Sequence, residues 1–526
     1  MRTAVAGRLS SATRRSAAIA GQILVYVLLW AGLVMLGAAG VIHFNWGRIS
    51  VGQMLLNLMS VEPDGGGGSI VWTAILWIGV VPVVITLAAF LWQRHRRRSR
   101  RVNGGHLHAP RPNWILRVVA TFLVSAVVVG GTTAFATTVS LPDYIKAATS
   151  KYDVGDYYAK PSVSAGENKR NLVLVYLESG EQTLADDELF EKDAFVPLKE
   201  ATTADKGWQT IEDFQQYKGG GWTMAGIVST QCGIPLKGTG LGGGNSSSGT
   251  DARNVGDGDV DTYLGGTTCL GDILQDNGYT NVFMGGASST FAAKKTFLTG
   301  HGYSEVLGLA DWRAAGEAEK DFRPDWGLSD ERLMANAKDK VDELHANAEQ
   351  TGQPFNLSVL TLDTHEPVHI YDYCTVDTEN VVTSAFHCSM IQVADFVNHM
   401  EAQGYLEDTA VVIMGDHLKH MSAGDAFHEQ LDHHANRTIF NRIWVPGGTE
   451  TEPRAGVDQL SMFPTILEAA GLTVKDREAG LGVSAYSSVI PKDSAQALEP
   501  DLYADLLDSN SARFFAGAWA GEALAR

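Results

Sequence analysis

Three long apolar runs near the start of the chain constrain its fold more than any other feature. They extend from about Ser16 to Ile42, Ile70 to Trp92 and Trp114 to Ala136. Each is longer than the ~20 residues that span the hydrocarbon core of a bilayer. Arg117 falls near one end of the third run, where its head group can snorkel to the interface. The first run exceeds the apolar core of a signal peptide, and two more runs follow it. The expected organisation is a membrane domain over residues 1–140 with three transmembrane helices, a juxtamembrane connector over 141–170, and an extracytoplasmic domain over 171–526.

Charge divides along the same boundary. Residues 1–140 hold thirteen Arg, no Lys and two acids, Glu62 and Asp64, a net of +11. The whole chain carries −19, so the remainder carries −30. Arg8, Arg14 and Arg15 precede the first run; Arg94, Arg96, Arg97, Arg98, Arg100, Arg101 and Arg111 lie between the second and third. An excess of Arg marks cytoplasmic segments. With both segments inside the cell, the third helix delivers everything after residue 140 to the outside. A basic cluster can also bind nucleic acid, but this one sits between two apolar runs. The acidic domain that follows repels nucleic acid, so none is expected as a partner. The loop from His43 to Ser69 is then external. Its "RISVGQMLLNLMS" stretch fits a helix lying on the membrane or an ordinary loop helix equally well.

All four cysteines, Cys232, Cys269, Cys374 and Cys388, fall in the external part. An even count in an oxidising compartment favours disulfides. The pairs nearest in sequence are 232/269 and 374/388, though three connectivities are open. Zinc binding is the weaker reading, because no C-x-x-C pair exists.

The external domain alternates apolar runs with helical patterns. "NLVLVYLES" (from Asn171), "NVFMGG" (from Asn281), "FNLSVLTLD" (from Phe355) and "AVVIMGD" (from Ala410) suit buried parallel strands. Between them lie helical stretches such as "LGDILQDNGY", "SDERLMANAKDKVDELHANAEQ" and "MIQVADFVNHMEAQGY". Strands alternating with helices imply an α/β sheet with helices on both faces. The Gly-rich stretch 238–260 reads as a flexible loop and matches neither a phosphate loop nor a calcium loop.

Open parallel sheets bind ligands beyond the carboxyl ends of their strands. Here those ends carry Glu178, Asp363 and His365, and Asp416 and His417. Polar residues at strand ends are ordinary, and an Asp-His pair alone says little. Several such ends meeting at one sheet edge form a mixed O/N set suited to Mn²⁺, Mg²⁺ or Zn²⁺. Thr223, in "GGGWTMAG", stands where a Gly-rich turn meets a helix start. It is either an N-cap or a hydroxyl that a metal activates for attack on phosphorus. The helix N-terminus would favour an anionic phosphate beside it.

The motifs "LVLVYLES", "GGGWTMAGIVSTQCGIPL", "FMGGASSTFAAKKTFLTGHGY", "DWGLSDERL", "TLDTHEP" and "VVIMGDH", spread over about residues 170–470, together resemble the phosphoglycerol transferase and lipoteichoic acid synthase family. This family belongs to the alkaline phosphatase and sulfatase superfamily. "TMAGIVSTQCGIPL" is most similar to the enzymes that modify periplasmic glucans with phosphoglycerol, and "QLSMFPTILEAAGL" resembles the superfamily's late helix. The resemblance implies an alkaline phosphatase-like α/β fold. It implies one divalent metal, Mn²⁺ favoured, at Glu178, Thr223, Asp416 and His417, with Thr223 the nucleophile. It gives His365 a role in substrate contact or proton transfer. It places Lys294 where the family has a phosphate-binding Arg, and the family's neighbouring Trp has no counterpart. The sulfatase nucleophile motif C-x-P-x-R is absent around Thr223, which argues against sulfate ester hydrolysis.

The implied activity is transfer of glycerophosphate from phosphatidylglycerol, through a phospho-threonine, to an extracytoplasmic glycan or polyglycerolphosphate acceptor. The protein would sit in the cell membrane as a multi-pass enzyme. Two alternatives stand beside it. A phosphoethanolamine transferase shares the Glu/Thr/Asp/His logic. A catalytically silent, membrane-tethered glycan-binding or regulatory domain would keep the fold without turnover.

Overall fold

The computed structural model describes residues 2–47, 49, 54, 68–102, 114–166, 169–238, 263–421 and 425–520. Residues 239–260 of the Gly-rich stretch, Arg111, and "RISVGQMLLNLMS" apart from Ile49 and Met54 lie outside the described residues. The chain forms two units, one of Met1–Ile49 with Ser69–Pro142 and one of Ser50–Gly68 with Asp143–Arg526.

Among the described residues, the first unit holds three helices long and apolar enough to cross a membrane, with spans Ile19–Asn45, Val71–Arg96 and Val118–Thr138. Small residues let the first and third approach closely: a Cβ on Gly131 would meet the main-chain oxygen of Gly32 at 2.2 Å.

In the second unit the apolar runs form a six-stranded sheet. Its strands are β1 (Asn171–Leu177), β2 (Thr280–Gly285), β3 (Glu305–Leu307), β4 (Phe355–Leu360), β5 (Thr409–Gly415) and β6 (Asn441–Trp444). The order across the sheet is β3-β2-β4-β1-β5-β6. All pairings are parallel except β5 with β6, which is antiparallel. Every residue of β1 is buried. Alternate side chains enter different cores: Leu172, Leu174 and Tyr176 one, Val173, Val175 and Leu177 the other. A strand buried on both faces loses the in/out alternation, which is why it reads as a continuous apolar run.

Helices cover both faces. The helices α1 (Thr223–Cys232) and α2 (Leu270–Asp276) supply the first core; α3 (Asp330–Thr351) and α4 (Val381–Ala402) supply the second; α5 (Met462–Ala469) returns to the first. Both sequence-adjacent cysteine pairs are joined. Cys232–Cys269 ties the end of α1 to the residue that caps α2, and Cys374–Cys388 ties the loop after β4 to α4. Residues from the 141–170 stretch also pack in this unit. Val163 and Ser164 pair with Val474 and Thr473, and the Lys146 ammonium lies 3.0 Å from Asp505.

Candidate active site

Register builds the core of the site. Leu177 of β1 pairs with Gly415 of β5, so the next residues, Glu178 and Asp416, emerge side by side. The strand order reverses about β1, between β4 and β5, the position where open sheets take ligands. Glu178, Asp416 and His417 are each buried, and their ligand atoms lie within 4.8 Å of one another. Ser179 follows Glu178 with φ of 55°, a strained conformation for a non-glycine. That turn lets its amide donate to Asp416 Oδ1 at 2.9 Å and its hydroxyl to Glu178 Oε1 at 2.9 Å.

The remaining atoms point inward. Asp416 Oδ1 also accepts from the His417 amide at 2.8 Å, while Asp416 Oδ2 is buried with no hydrogen-bond partner. His417 Nδ1 lies 2.7 Å from the Leu418 carbonyl and donates to it, which turns the Nε2 lone pair toward the carboxylates. Nε2 stands 3.6 Å from Glu178 Oε1 and 3.6 Å from Asp416 Oδ2. Burial and the neighbouring Glu178 raise the Asp416 carboxyl well above the usual range. Burial also works against Glu178, but the facing His365 and His417 rings and the Ser179 hydroxyl outweigh it and hold that group low. Two adjacent buried carboxylates, one orphaned oxygen and an imidazole lone pair form a donor set that fits a divalent cation.

Thr223 is the first residue of α1, and the cap is Trp222, whose side chain makes no capping hydrogen bond. The N-cap alternative for Thr223 therefore does not hold. Its hydroxyl instead lies 3.4 Å from Glu178 Oε2. The first intrahelical bond is from the Gly226 amide to the Trp222 carbonyl, leaving the amides of residues 223–225 without partners inside the helix. At its other end α1 stops at Gly233, in the left-handed conformation with φ of 65°, whose amide closes on Ser229 O at 2.9 Å.

Lys294 is buried after two consecutive left-handed alanines, Ala292 and Ala293. Burial pulls its ammonium down to about 8 against the pull of Glu178 and Asp416. His365 packs against Trp326, ring centres 4.2 Å apart, and Trp326 meets Phe291 at 5.3 Å. Burial lowers the His365 imidazole, and Glu178 opposes it. Asp363, two residues earlier, turns away from the cluster: Tyr373 donates to its Oδ2, and its amide donates to Asp330.

Several supporting residues carry no individual mark in the sequence, although Thr361, Thr364 and Gln459 fall inside motifs quoted above. Thr361 and Thr364 hold Glu178 from both sides, one accepting from its amide at 2.9 Å and the other donating to its carbonyl at 2.6 Å. Gln459, at the start of the "QLSMFPTILEAAGL" segment, donates to Asp416 O at 2.7 Å. Arg323 is fully buried and binds the carbonyl of His365 at 3.1 Å. His420 stacks edge-on to His417 at 4.9 Å and is held well below its ordinary range by burial and by that ring. A second grouping, Cys269, Asp272 and His301, is no metal site. Cys269 is disulfide-bonded, and His301 is engaged by Asp272 at 2.7 Å and Tyr263 O at 3.0 Å.

Comparison with known proteins agrees with the motif reading. Residues 245–472 match the Sulfatase family. Phosphoglycerol transferase I of Escherichia coli (strain SMS-3-5 / SECEC) is 34% identical over 276 residues, 51% of this chain and 33% of that protein. The matched part thus spans about a third of the length of the curated relative. An alkaline phosphatase superfamily protein from Vibrio parahaemolyticus is 19% identical with a TM-score of 0.46, covering 68% of this chain and 79% of its own. A lipoteichoic acid synthase from Listeria monocytogenes is 16% identical with a TM-score of 0.45, covering 60% and 76%. The residues matched to the Sulfatase family include His365, Asp416 and His417, and Glu178 and Thr223 lie ahead of them.

Proposed function

We propose that this protein is a membrane-anchored, metal-dependent phosphoglycerol transferase whose site faces the outside of the cell membrane. The observation that carries the reading is Thr223 Oγ1 beside Glu178, at the start of a helix whose first amides have no partner within it, next to a buried carboxylate pair with one orphaned oxygen. Glu178, Thr223, Asp416 and His417 would hold one divalent ion, with Mn²⁺ favoured by the oxygen content and Mg²⁺ or Zn²⁺ also compatible. When bound, it supplies the Lewis acidity that lets a threonine hydroxyl ionise near neutral pH.

Thr223 Oγ1 attacks the phosphorus of phosphatidylglycerol in line. The Thr223–phosphorus bond forms as the bond to the diacylglycerol oxygen breaks. The Thr223 proton is released to solvent, and His365, protonated from solvent beforehand, delivers its proton to the departing oxygen. An acceptor hydroxyl then displaces Thr223, passing its proton to His365 while Thr223 regains one. The Lys294 ammonium offsets charge on the phosphoryl oxygens as a point charge. The relatives named phosphoglycerol transferase I support this headgroup over phosphoethanolamine. The acceptor is an extracytoplasmic glycan or a polyglycerolphosphate chain. Reporter fusions after residues 105 and 150 should read opposite sides of the membrane.

The decisive experiment replaces Thr223. Thr223→Ala is expected to abolish diacylglycerol release from phosphatidylglycerol at unchanged thermal stability, and Thr223→Ser to retain part of it. Wild-type protein given donor without acceptor should trap glycerophosphate on the tryptic peptide containing Thr223. Near-wild-type turnover by the Ala variant, or an adduct on another residue, rejects the mechanism.

A further inference from the structure

Two loops that leave the sheet from different strands are bolted together behind the site. The segment after β5 carries Asp416 and His417 and continues to Lys419. The segment after β4 carries His365 and continues to Glu366. Lys419 Nζ lies 2.7 Å from Glu366 Oε1, with the lysine side chain 1% exposed. Both partners are fixed independently. The Lys419 amide donates to Glu181 Oε2 at 3.0 Å, and its carbonyl accepts from Arg437 at 2.6 Å. Arg437 in turn binds both oxygens of Glu181. On the other side, Arg323 donates to the carbonyls of His365 and Pro367, which bracket Glu366. The Glu366 carbonyl lies 2.7 Å from His365 Nδ1 and takes its hydrogen, so Nε2 is the ring nitrogen left for a substrate.

We infer that Lys419 and Glu366 are positioning residues that set the distance between His365 and the Thr223 side of the site. The inference rests on the transferase reading above. Stability does not account for the pair, because a buried ion pair is often matched or bettered by apolar residues of similar volume. What apolar residues cannot reproduce is a directional 2.7 Å tie between the loop bearing His417 and the loop bearing His365. A misplacement of about 1 Å can cost about 100-fold in rate. The loss should fall on the step that needs His365, protonation of a poor leaving group.

The test uses full-length protein and the double variant Lys419→Met, Glu366→Met, which leaves no unpaired buried charge. Two donors are compared: phosphatidylglycerol, whose diacylglycerol oxygen needs a proton to leave, and bis(4-nitrophenyl) phosphate, whose nitrophenolate does not. Thermal stability and metal content should match wild type. Diacylglycerol release should drop about 100-fold in kcat with little change in KM. Nitrophenolate release in the first turnover, before an acceptor hydroxyl must pass its proton to His365, should drop less than about threefold, since that step needs no proton donor. Equal losses on both donors mean a general structural role and overturn the inference; so does wild-type kcat on phosphatidylglycerol. If the variant fails to fold, Lys419→Arg, which keeps the bridge, and Glu366→Gln, which weakens it, replace it. The proposal then requires the Gln variant alone to lose phosphatidylglycerol turnover selectively. Wild-type protein inert toward phosphatidylglycerol but active on the aryl diester is a different failure: it overturns the donor reading, and this inference with it.

Discussion

A Cβ placed on Gly226 would lie 2.0 Å from the main-chain oxygen of Asp416. The helix that begins with Thr223 and the strand end that presents Asp416 therefore touch backbone to backbone. Neither surface is the flexible tip of a side chain, and the Asp416 oxygen is also held by Gln459. Gly226→Ala should force the two apart. Overpacking of this kind costs ~1–3 kcal/mol, and displacement of a reacting hydroxyl by about 1 Å costs on the order of 100-fold in rate. Thermal melting and donor turnover should fall together. A variant with full activity would show that the close approach does not set the site's geometry.

Asp416→Asn separates charge from shape. The Asn oxygen can still accept from the Ser179 and His417 amides, so the local hydrogen bonds survive. What disappears is the second negative charge beside Glu178. Chelated variant protein should melt no lower than chelated wild type, because a repulsion has been removed. Added Mn²⁺ should raise the melting temperature of wild type by mass action and leave the variant nearly unmoved. Metal analysis should show the same contrast. Equal metal content in the two proteins would move the cation elsewhere.

How much of this was legible beforehand follows from where each interaction lies along the chain. Buried parallel strands announce themselves as apolar runs, and the polar residue that closes each run marks the sheet edge. Glu178, His365, Asp416 and His417 were readable for that reason. Asp363 closes its strand in the same way as His365, yet its side chain accepts from Tyr373 and its amide donates to Asp330. Two residues of separation were enough to reverse its direction, and no local pattern records that. Lys419 and Glu366 are 53 positions apart, and Arg323 lies 42 before His365, so their pairing exists only in three dimensions. The edge strand Asn441–Trp444 was also silent. It is four residues long, half buried, and carries Arg442 in its middle.

The two disulfides should differ in weight. Cys232–Cys269 spans 37 residues and Cys374–Cys388 spans 14. By the chain-entropy argument the longer loop contributes about 1 kcal/mol more, within a usual range of ~2–5 kcal/mol for either. Cys232→Ser with Cys269→Ser should therefore lower the denaturant midpoint further than Cys374→Ser with Cys388→Ser. The reverse order would mean that the shorter bridge carries strain relief or packing beyond loop closure.

Asp330 and Asp363 form a buried acid pair behind the His365 loop. Asp330 accepts from the Leu362 amide at 2.7 Å, the Asp363 amide at 3.2 Å and the Ser389 hydroxyl at 2.7 Å. Asp363 Oδ1 is buried with no hydrogen-bond partner. Burial is the main cause that pushes Asp330 up to about 6 and Asp363 well above its ordinary range, and Asp330 adds to the shift of Asp363. A carboxyl raised in the folded state contributes stability that is fully present below its unfolded value, near 4. That contribution is lost as pH rises through the folded value, so between pH 4 and 8 this pair makes the domain less stable with rising pH. Asp363→Asn removes one of the two charges. With metal held saturating, so that Asp416 does not contribute, the variant's melting temperature should decline less steeply from pH 4 to 8 and lie above wild type at pH 8. Tyr373→Phe should do the opposite and steepen the decline, since the tyrosine hydroxyl favours the ionised form of Asp363. Parallel melting curves for wild type and both variants across this range would show that the pair titrates at the same pH in the folded and unfolded states.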